Sequence, residues 1–482
     1  MALGTRKQRE RQESLWVAVQ ELPMSAGHPF YGRLNTLLDI EQFDVFVEAQ
    51  CRQYYAGKMG RPGLTPGIYF RCLIVGYFEG IDSERGIAWR ASDSLAIRQF
   101  LGIGLDERSP DHSTISRTRR LISLETHEQV FSYVLRLIAA RGLLKGQTVG
   151  VDATTLEANA AIRSIVRRDT GERYDAFLTG LVKESGIETP TREQLARLAR
   201  KREKRMPNGE WKHPHDPDAK ITKMKDGSTY LAHKAEHAVD LETGAIIAVT
   251  LQGADQGDTT TIIETLAEAG EQIAETAAAV NNETDGERVN PEGPAEVVAD
   301  KGYHSNAVLR QLGEFGVRSY IPEPDRGERK WKGKAAEKKA VYGNRRRVRG
   351  RHGKRLMKRR GEYIERSFAH MYETGAMRRT HLRGRDNIRK RLLIHASGFN
   401  LSLVMRKHFR AGTPRGLRGS NTTLFSSLGA LIGRYRRFQR RFLDNQVRGL
   451  MLRAVKFFAT QAAGLNPAFF ESAKMATFAT GC

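Results

Sequence analysis

The sequence predicts an α/β protein, a mixed sheet with helices packed on it, preceded by a helical N-terminal region. Three observations carry this. Residues 1 to about 146 show helical apolar spacing punctuated by Pro, Ser and Gly. From Thr148 the period changes, and segments follow in the order strand, hairpin, helix, strand, helix, strand, helix. Two of the apolar β-runs, Thr148 to Asp152 and Ala295 to Ala299, lead directly into Asp152 and Asp300.

In the N-terminal region, Leu64-Thr65-Pro66 opens an apolar helix through Phe70, Leu73, Ile74 and Phe78 that ends near Gly80. Pro just inside a start and Gly just past an end is the expected asymmetry. Ser83 to Trp89 and Ser94 to Leu101 read as short helices. Ser113 is a candidate N-cap for Thr114 to Arg120. His127 to Arg141 forms a longer helix closed by Gly142. Short helices ending in a basic one are compatible with a helix-turn-helix, with Arg117, Arg119 and Arg120 as candidate DNA contacts. A bundle with a solvated basic face fits the same pattern.

Residues 147–406 are expected to form the second domain. Thr148 to Asp152 is a short strand. Residues from about 160 to 222 read as an insertion with a basic helix, Arg192 to Lys204, and a polar loop, Pro207 to Pro217. Tyr230 to Val239 and Ala245 to Leu251 form a hairpin around the turn at Asp240 to Gly244. A helix runs from Asp258 to about Ala277; Asp258 is also a carboxylate near a strand end, and its expected role is the helix N-cap. Residues 280–294 form a polar loop. Ala295 to Ala299 is a strand, Ser305 to Phe315 a helix and Val317 to Ile321 a strand.

From about 325 to 360 Lys and Arg dominate, and glycines are expected to interrupt any long helix. The stretch reads as a phosphate-contacting arm, with Arg345, Arg346, Arg347, Lys358, Arg359 and Arg360 as candidates, or as a basic linker. A helix from about 361 to 377 follows, then a second basic element with Arg378 and Arg379, then a helix from Asn387 to Arg406. Residues 407–482 read as a basic helical tail, with amphipathic helix between Leu424 and Phe458.

The 482 residues carry a formal charge of +24. That excess favours a polyanionic partner, nucleic acid before an anionic membrane surface. No apolar run approaches the roughly 18–20 residues that span a bilayer. Met1 to Ser14 lacks the apolar core of a secretory signal. Cys51, Cys72 and Cys482 form neither a zinc pattern nor a disulfide framework, so a reduced cytoplasmic setting is expected.

The chemistry is expected from carboxylates. Asp152 and Asp300 each stand at the polar end of a β-run, where a strand can aim their oxygens rigidly. On adjacent strands, about 4.8 Å apart, they could share metal ions held by oxygen ligands. A turn or cap role is the ordinary alternative for each. A third acid would come from the helix after the basic stretch, where Glu362, Glu365 and Glu373 compete and spacing alone does not choose. Asp240 reads as a turn residue. His213-Pro214-His215-Asp216 reads as a surface loop, because no partner pair completes a metal site.

These segments resemble the DDE transposases of bacterial insertion sequences. The resemblance runs through Ser109-Pro110-Asp111-His112-Ser113-Thr114-Ile115-Ser116, Val151-Asp152-Ala153-Thr154, Asp216-Pro217-Asp218-Ala219, Tyr230 and Lys234. It continues through Gly257-Asp258-Thr259, Ala299-Asp300-Lys301-Gly302-Tyr303, Ile364-Glu365-Arg366-Ser367-Phe368 and Asn400-Leu401. It implies an RNase-H-like catalytic domain and a triad of Asp152, Asp300 and Glu365, selecting Glu365 over Glu362. Many relatives carry Arg four before the Glu and Lys seven after it; here Gly361 and Tyr372 stand there.

The resemblance further implies Mg²⁺, with Mn²⁺ able to substitute, bound by the triad, and double-stranded DNA, both element ends and target, as partner. It implies a homodimer or higher assembly on DNA and a place at the bacterial nucleoid. The expected activity is DNA cleavage and strand transfer, without a covalent enzyme–DNA intermediate because no activated Ser or Tyr nucleophile is apparent. The alternatives are a metal-dependent nuclease without strand transfer, a non-catalytic DNA-binding protein derived from a transposase and, last, an RNA-binding basic protein, for which no RNP-type motif is present.

Overall fold

The computed structural model describes residues 27–56, 63–184, 207–223, 227–283, 289–325 and 329–417, together with 191, 193, 197 and 327. The basic helix expected at Arg192 to Lys204 falls largely outside the described residues, and the tail between Leu424 and Phe458 wholly so. The elements below lie in the compact unit that ends at Pro414.

The N-terminal helices are α1 (Pro29–Ile40), α2 (Phe43–Cys51), α3 (Pro66–Glu79), α4 (Glu84–Asp93), α5 (Leu95–Leu101), α6 (His112–Leu121) and α7 (Leu124–Ala140). Local chemistry sets their ends. Pro66 starts α3, and Gly80 stops it at φ 67°, a conformation in which a side chain would be strained. Ser83 and Ser94 accept from Gly86 N and Ile97 N and cap α4 and α5. The cap of α6 is Asp111, not Ser113: Asp111 has the extended backbone of a cap and accepts from Ser113 N, which is already helical. Arg71, buried in α3, is held by Asp39, Asp44 and Asn35.

The remaining elements are, in order, β1 (Thr148–Glu157), β2 (Val166–Arg167), α8 (Tyr174–Glu184), β3 (Trp211–Lys212), β4 (Lys220–Lys223), β5 (Thr229–Asp240), β6 (Ile246–Gly253), α9 (Asp258–Val280), β7 (Glu296–Val298), α10 (Asn306–Glu314), β8 (Arg318–Tyr320), α11 (Ala335–Arg349), α12 (Arg351–Phe368) and α13 (Arg385–Phe409). The main sheet runs β6–β5–β1–β7–β8. The first three strands are antiparallel, and β7 and β8 run parallel to β1. β4 lies inside the stretch expected as an insertion, yet it joins this sheet by pairing with the first residues of β5. β2, β3 and α8 pack around Trp211, Tyr174, Leu178 and Ile165.

β5 has ten consecutive buried residues, Leu231 to Asp240. Five are ionisable, and each is tied to another segment. His233 meets Asp216 at 3.2 Å. Lys234 meets Asp258 at 2.6 Å. Glu236 accepts from Tyr303, Thr261 and Thr265 at 2.7, 2.9 and 2.5 Å. His237 meets Ser367 and Tyr372 at 3.1 and 2.6 Å. Asp240 accepts from Lys145 N, Glu242 N and Thr243 Oγ1 and so organises the hairpin turn. The His213 to Asp216 loop is only partly a surface feature: Pro214 and His215 are exposed, but His213 and Asp216 are buried, and Asp216 also accepts from Gly384 N before α13.

The basic stretch is not a linker, and the expected interruption by glycine occurs at Gly350, whereas Gly343 and Gly353 lie within helices. It forms α11 and α12, joined at Gly350. Asn344 fixes α11 to the sheet by accepting from Ile321 N and donating to Ile321 O. The helix expected from about 361 begins at Arg351 and passes at Ala369–Thr374 into a π-turn. Glycine 353 is what lets the two helices meet: a Cβ there would stand 2.2 Å from Arg347 O. α13 threads back among the N-terminal helices, where buried Lys390 donates to Arg119 O and Ile122 O. Asn400 pairs with both backbone groups of Ile246 and joins α13 to β6.

Two glycines of α12 should respond oppositely to alanine. Gly353→Ala should cost about 1–3 kcal/mol through the backbone clash. Gly361→Ala, with nothing within 4 Å, should gain about 0.5–1 kcal/mol from helix propensity. Urea unfolding measures both, and a shared sign would contradict the packing described. Glu236→Gln should cost about 2–4 kcal/mol in the same assay, because it removes the charge that Lys234 and three hydroxyls serve. A loss under about 0.5 kcal/mol would show that the carboxylate is not needed there.

Candidate functional site

β1 outruns β7. Their last parallel pair is Gly150 with Val298, and each chain carries an aspartate two residues further on, Asp152 and Asp300. The pairing brings the two carboxylates near each other, close enough for the charge of Asp300 to act on Asp152. Asp152 was expected at a strand end. It stands within β1 instead, because the following polar residues stay paired with β5. β7 does end: Asp300 opens a 3₁₀ turn, Lys301–Tyr303, and accepts from Gly302 N at 2.8 Å.

Asp152 is half-buried. Its Oδ1 accepts from Ala153 N at 2.9 Å, and its Oδ2 accepts from Arg360 Nη2 at 2.6 Å. Burial pushes its carboxyl above the ordinary value; Arg360 and the Ala153 N–H oppose this, and the charges of Asp300 and Asp258 add to it.

Asp258 belongs to this neighbourhood. It was expected as an N-cap, but Gly257 takes the cap position and Asp258 is the first helical residue. Its Oδ1 takes the Lys234 ammonium at 2.6 Å, and Lys234, itself buried, also donates to Thr261 at 3.0 Å. The other oxygen turns towards Asp300. A Cβ on Gly302 would stand 2.7 Å from Asp258 Oδ2 and 3.0 Å from Asp300 Oδ1. Behind them Tyr303 is buried, and its hydroxyl is driven far up by burial and by the Glu236 carboxylate it serves.

α12 covers the Gly150, Asp152 and Thr154 face of β1. Ile364 Cδ1 comes within 3.1 Å of the position a Gly150 Cβ would take, and Arg360 reaches Asp152. Ser367 and Tyr372 bond to His237, the cross-strand partner of Asp152. Glu365 rides on this helix but lies outside its buried stripe of Gly353, Leu356, Ile364 and Ser367, and is exposed. Glu362 is paired with Arg366 and Glu373 with Arg378. Among the described residues no three His, Cys, Asp or Glu side chains gather at metal-ligand spacing. Asp152 and Asp300 are brought together, and Glu365 is not brought to them. Two neighbouring carboxylates are nevertheless oxygen donors of the kind a hard divalent cation takes.

The basic residues divide into two kinds. Arg117, Arg120, Arg346, Lys358, Arg359, Arg378 and Arg379 are exposed. Arg378 donates to Thr154 Oγ1 at 3.1 Å, and Arg379 approaches Glu157 at 3.4 Å, so both flank the polar end of β1. Arg119 is not a surface cation: it is buried, paired with Glu84 at 2.7 Å and bonded to Asn387. Arg345 is held by Glu323, and Arg347 by Ser319 O and Oγ. Burial pushes the Arg347 guanidinium below its ordinary value. Arg360 is committed to Asp152. For these four, helical position directs the side chain inward, which run composition does not disclose. No helix among the described residues is long and apolar enough to cross a membrane.

Two family models match the chain. A transposase domain (DUF772) matches residues 20–121, which include α1 to α6. A transposase DDE domain matches residues 209–401, which include Lys234, Asp258, Asp300 and Glu365; Asp152 lies between the two matches. No curated protein and no solved structure matches. The two matches together span more than half of the chain, and they agree with strand-borne acids set among exposed cations: the chain belongs to the DDE transposases of insertion-sequence type.

Proposed function

We propose that this transposase cleaves and joins DNA at the ends of an insertion sequence through an Asp152, Asp300 and Glu365 triad in an RNase-H-like domain. The sheet supports the domain reading, with three successive antiparallel strands and then two parallel ones beyond the first. The single observation that carries the function is the proximity of Asp152 and Asp300, each two residues beyond the Gly150–Val298 pair. Glu365 enters from the resemblance, and the attachment of its helix to β1 and to His237 supports it.

Asp152 and Asp300 supply oxygen donors of the kind Mg²⁺ or Mn²⁺ takes, and together with Glu365, which the structure leaves apart from them, they are the residues that would hold it. When bound, the ion supplies charge stabilisation to the attacking and leaving oxygens of an in-line displacement. The chain's own residues do the rest. Arg360 balances the Asp152 carboxylate and keeps α12 against the strand. Exposed cations on α6, α11, α12 and the Arg378–Arg379 segment bind phosphates and set the DNA across the polar end of β1. Cutting and joining two ends in concert calls for at least a dimer on the DNA, and the protein works at the nucleoid in the cytoplasm.

Asp152→Asn and Asp300→Asn should each reduce Mg²⁺-dependent cleavage of duplexes carrying the element ends by roughly 100-fold or more, with binding of those duplexes retained. Cleavage at the wild-type rate in either variant would sink the assignment. Binding should weaken steeply with salt. Gln at Arg346, Lys358 or Arg359 should flatten the log–log salt dependence by about one unit each, whereas Arg119→Gln should lower stability and leave that slope alone. A slope unmoved by the exposed positions would remove them from the interface.

A further inference from the structure

We propose that Asp258 is a further carboxylate of the Asp152–Asp300 centre, held in place by Lys234. This rests on the proposed metal-dependent reading of that centre and extends it to a residue on a different element, the start of α9.

Asp258 does not do the work its sequence position suggests. Gly257 is the N-cap, and the Asp258 side chain is not a cap acceptor. The carboxylate is divided between two tasks. Oδ1 takes the Lys234 ammonium at 2.6 Å. Oδ2 faces the space above Gly302, where Asp300 Oδ1 also points, and both oxygens lie within 3.0 Å of the position a Gly302 Cβ would occupy. The two oxygens are therefore less than about 6 Å apart and flank one space, where a cation held at about 2.1 Å from each would draw them closer together. Any side chain at 302 would push them apart, which gives the glycine in Asp300-Lys301-Gly302 a physical reason.

Lys234 is the positioning residue. It reaches Asp258 from β5, with its side chain 7% exposed, and is further fixed by Thr261 and by Glu236 at 3.7 Å. A buried ammonium anchored on three sides has little freedom to leave, so Asp258 Oδ1 is pinned and Oδ2 is left directed at Asp300. Arg360 plays the corresponding part for Asp152 from the other face of β1. Asp300, between them, is met by the backbone N–H of Gly302.

Mn²⁺ binding to the full-length protein, followed by the electron paramagnetic resonance of free Mn²⁺, tests this without relying on turnover. Asp258→Asn should weaken binding about tenfold or more, with unchanged near-ultraviolet circular dichroism. Asp258→Glu, which keeps the charge on a longer arm, should recover part of the affinity, and it serves as the measurement if the Asn variant does not fold. Asp152→Asn and Asp300→Asn are measured alongside. If those two lose Mn²⁺ while both Asp258 variants bind as the wild type does, Asp258 is only the counter-ion of Lys234 and the proposal is overturned. If Asp152→Asn and Asp300→Asn themselves bind Mn²⁺ normally, the metal-dependent reading fails, and the proposal with it.

Discussion

A central strand buried on both faces cannot leave an ionisable side chain without a partner, and β5 carries five of them. The cost of an unmet buried charge is several kcal/mol, comparable with the whole stability of a domain. Each of the five therefore constrains another piece of chain. Residues pointing to one face, His233 and His237, fix the Asp216 loop, the end of α12 and the π-turn. Residues pointing to the other, Lys234 and Glu236, fix α9 and the turn after Asp300. The acids of the centre are held by segments that β5 has gathered for electrostatic reasons.

The same constraint explains what could be read in advance and what could not. Helix limits were legible where a single residue settles them, as at Pro66 and Gly80 or Ser83 and Ser94. The hairpin was legible from its turn, since Asp240 and Gly244 are demanded locally. β5 itself gave only loose alternation, because its charged residues look like a solvent face until their partners, dozens of residues away, are in place. The role of Asp258 was hidden for that reason: nothing beside it announces Lys234. The length of β1 was hidden as well, since Ala153-Thr154-Thr155 reads as the polar end of a strand unless β5 is known to pair with it. For the third acid, sequence left Glu362, Glu365 and Glu373 open. Glu362 and Glu373 have basic partners within six residues along the chain, and Glu365 has no ion pair among the described residues.

Net charge pointed to a polyanion, but it did not assign the cations. Several are internal ties: Arg71 in α3, Arg119 in α6, and Lys390 and Arg391 in α13 are all buried. Lys390 and Arg391 bind backbone carbonyls, and Arg71 and Arg119 pair with acids, so they contribute to cohesion and not to a phosphate surface. Counting basic residues in a run mixes the two kinds, and only helical geometry separates them.

Lys358-Arg359-Arg360 makes the point at the scale of three residues. Successive positions on a helix turn by about 100°, so three adjacent cations cannot share one environment. Arg360 falls on the line of Leu356 and Ile364, against the sheet, and its guanidinium meets Asp152. Lys358 and Arg359 fall outside that line and are exposed. One short basic run thus serves both ends of the electrostatic problem: the inward cation offsets a carboxylate that burial makes costly to ionise, and the outward pair is free to meet phosphate. Reversing the helical phase by a single residue would leave Asp152 without its cation and would bury a different one, so the register of α12 on β1 is as much an electrostatic choice as a packing one.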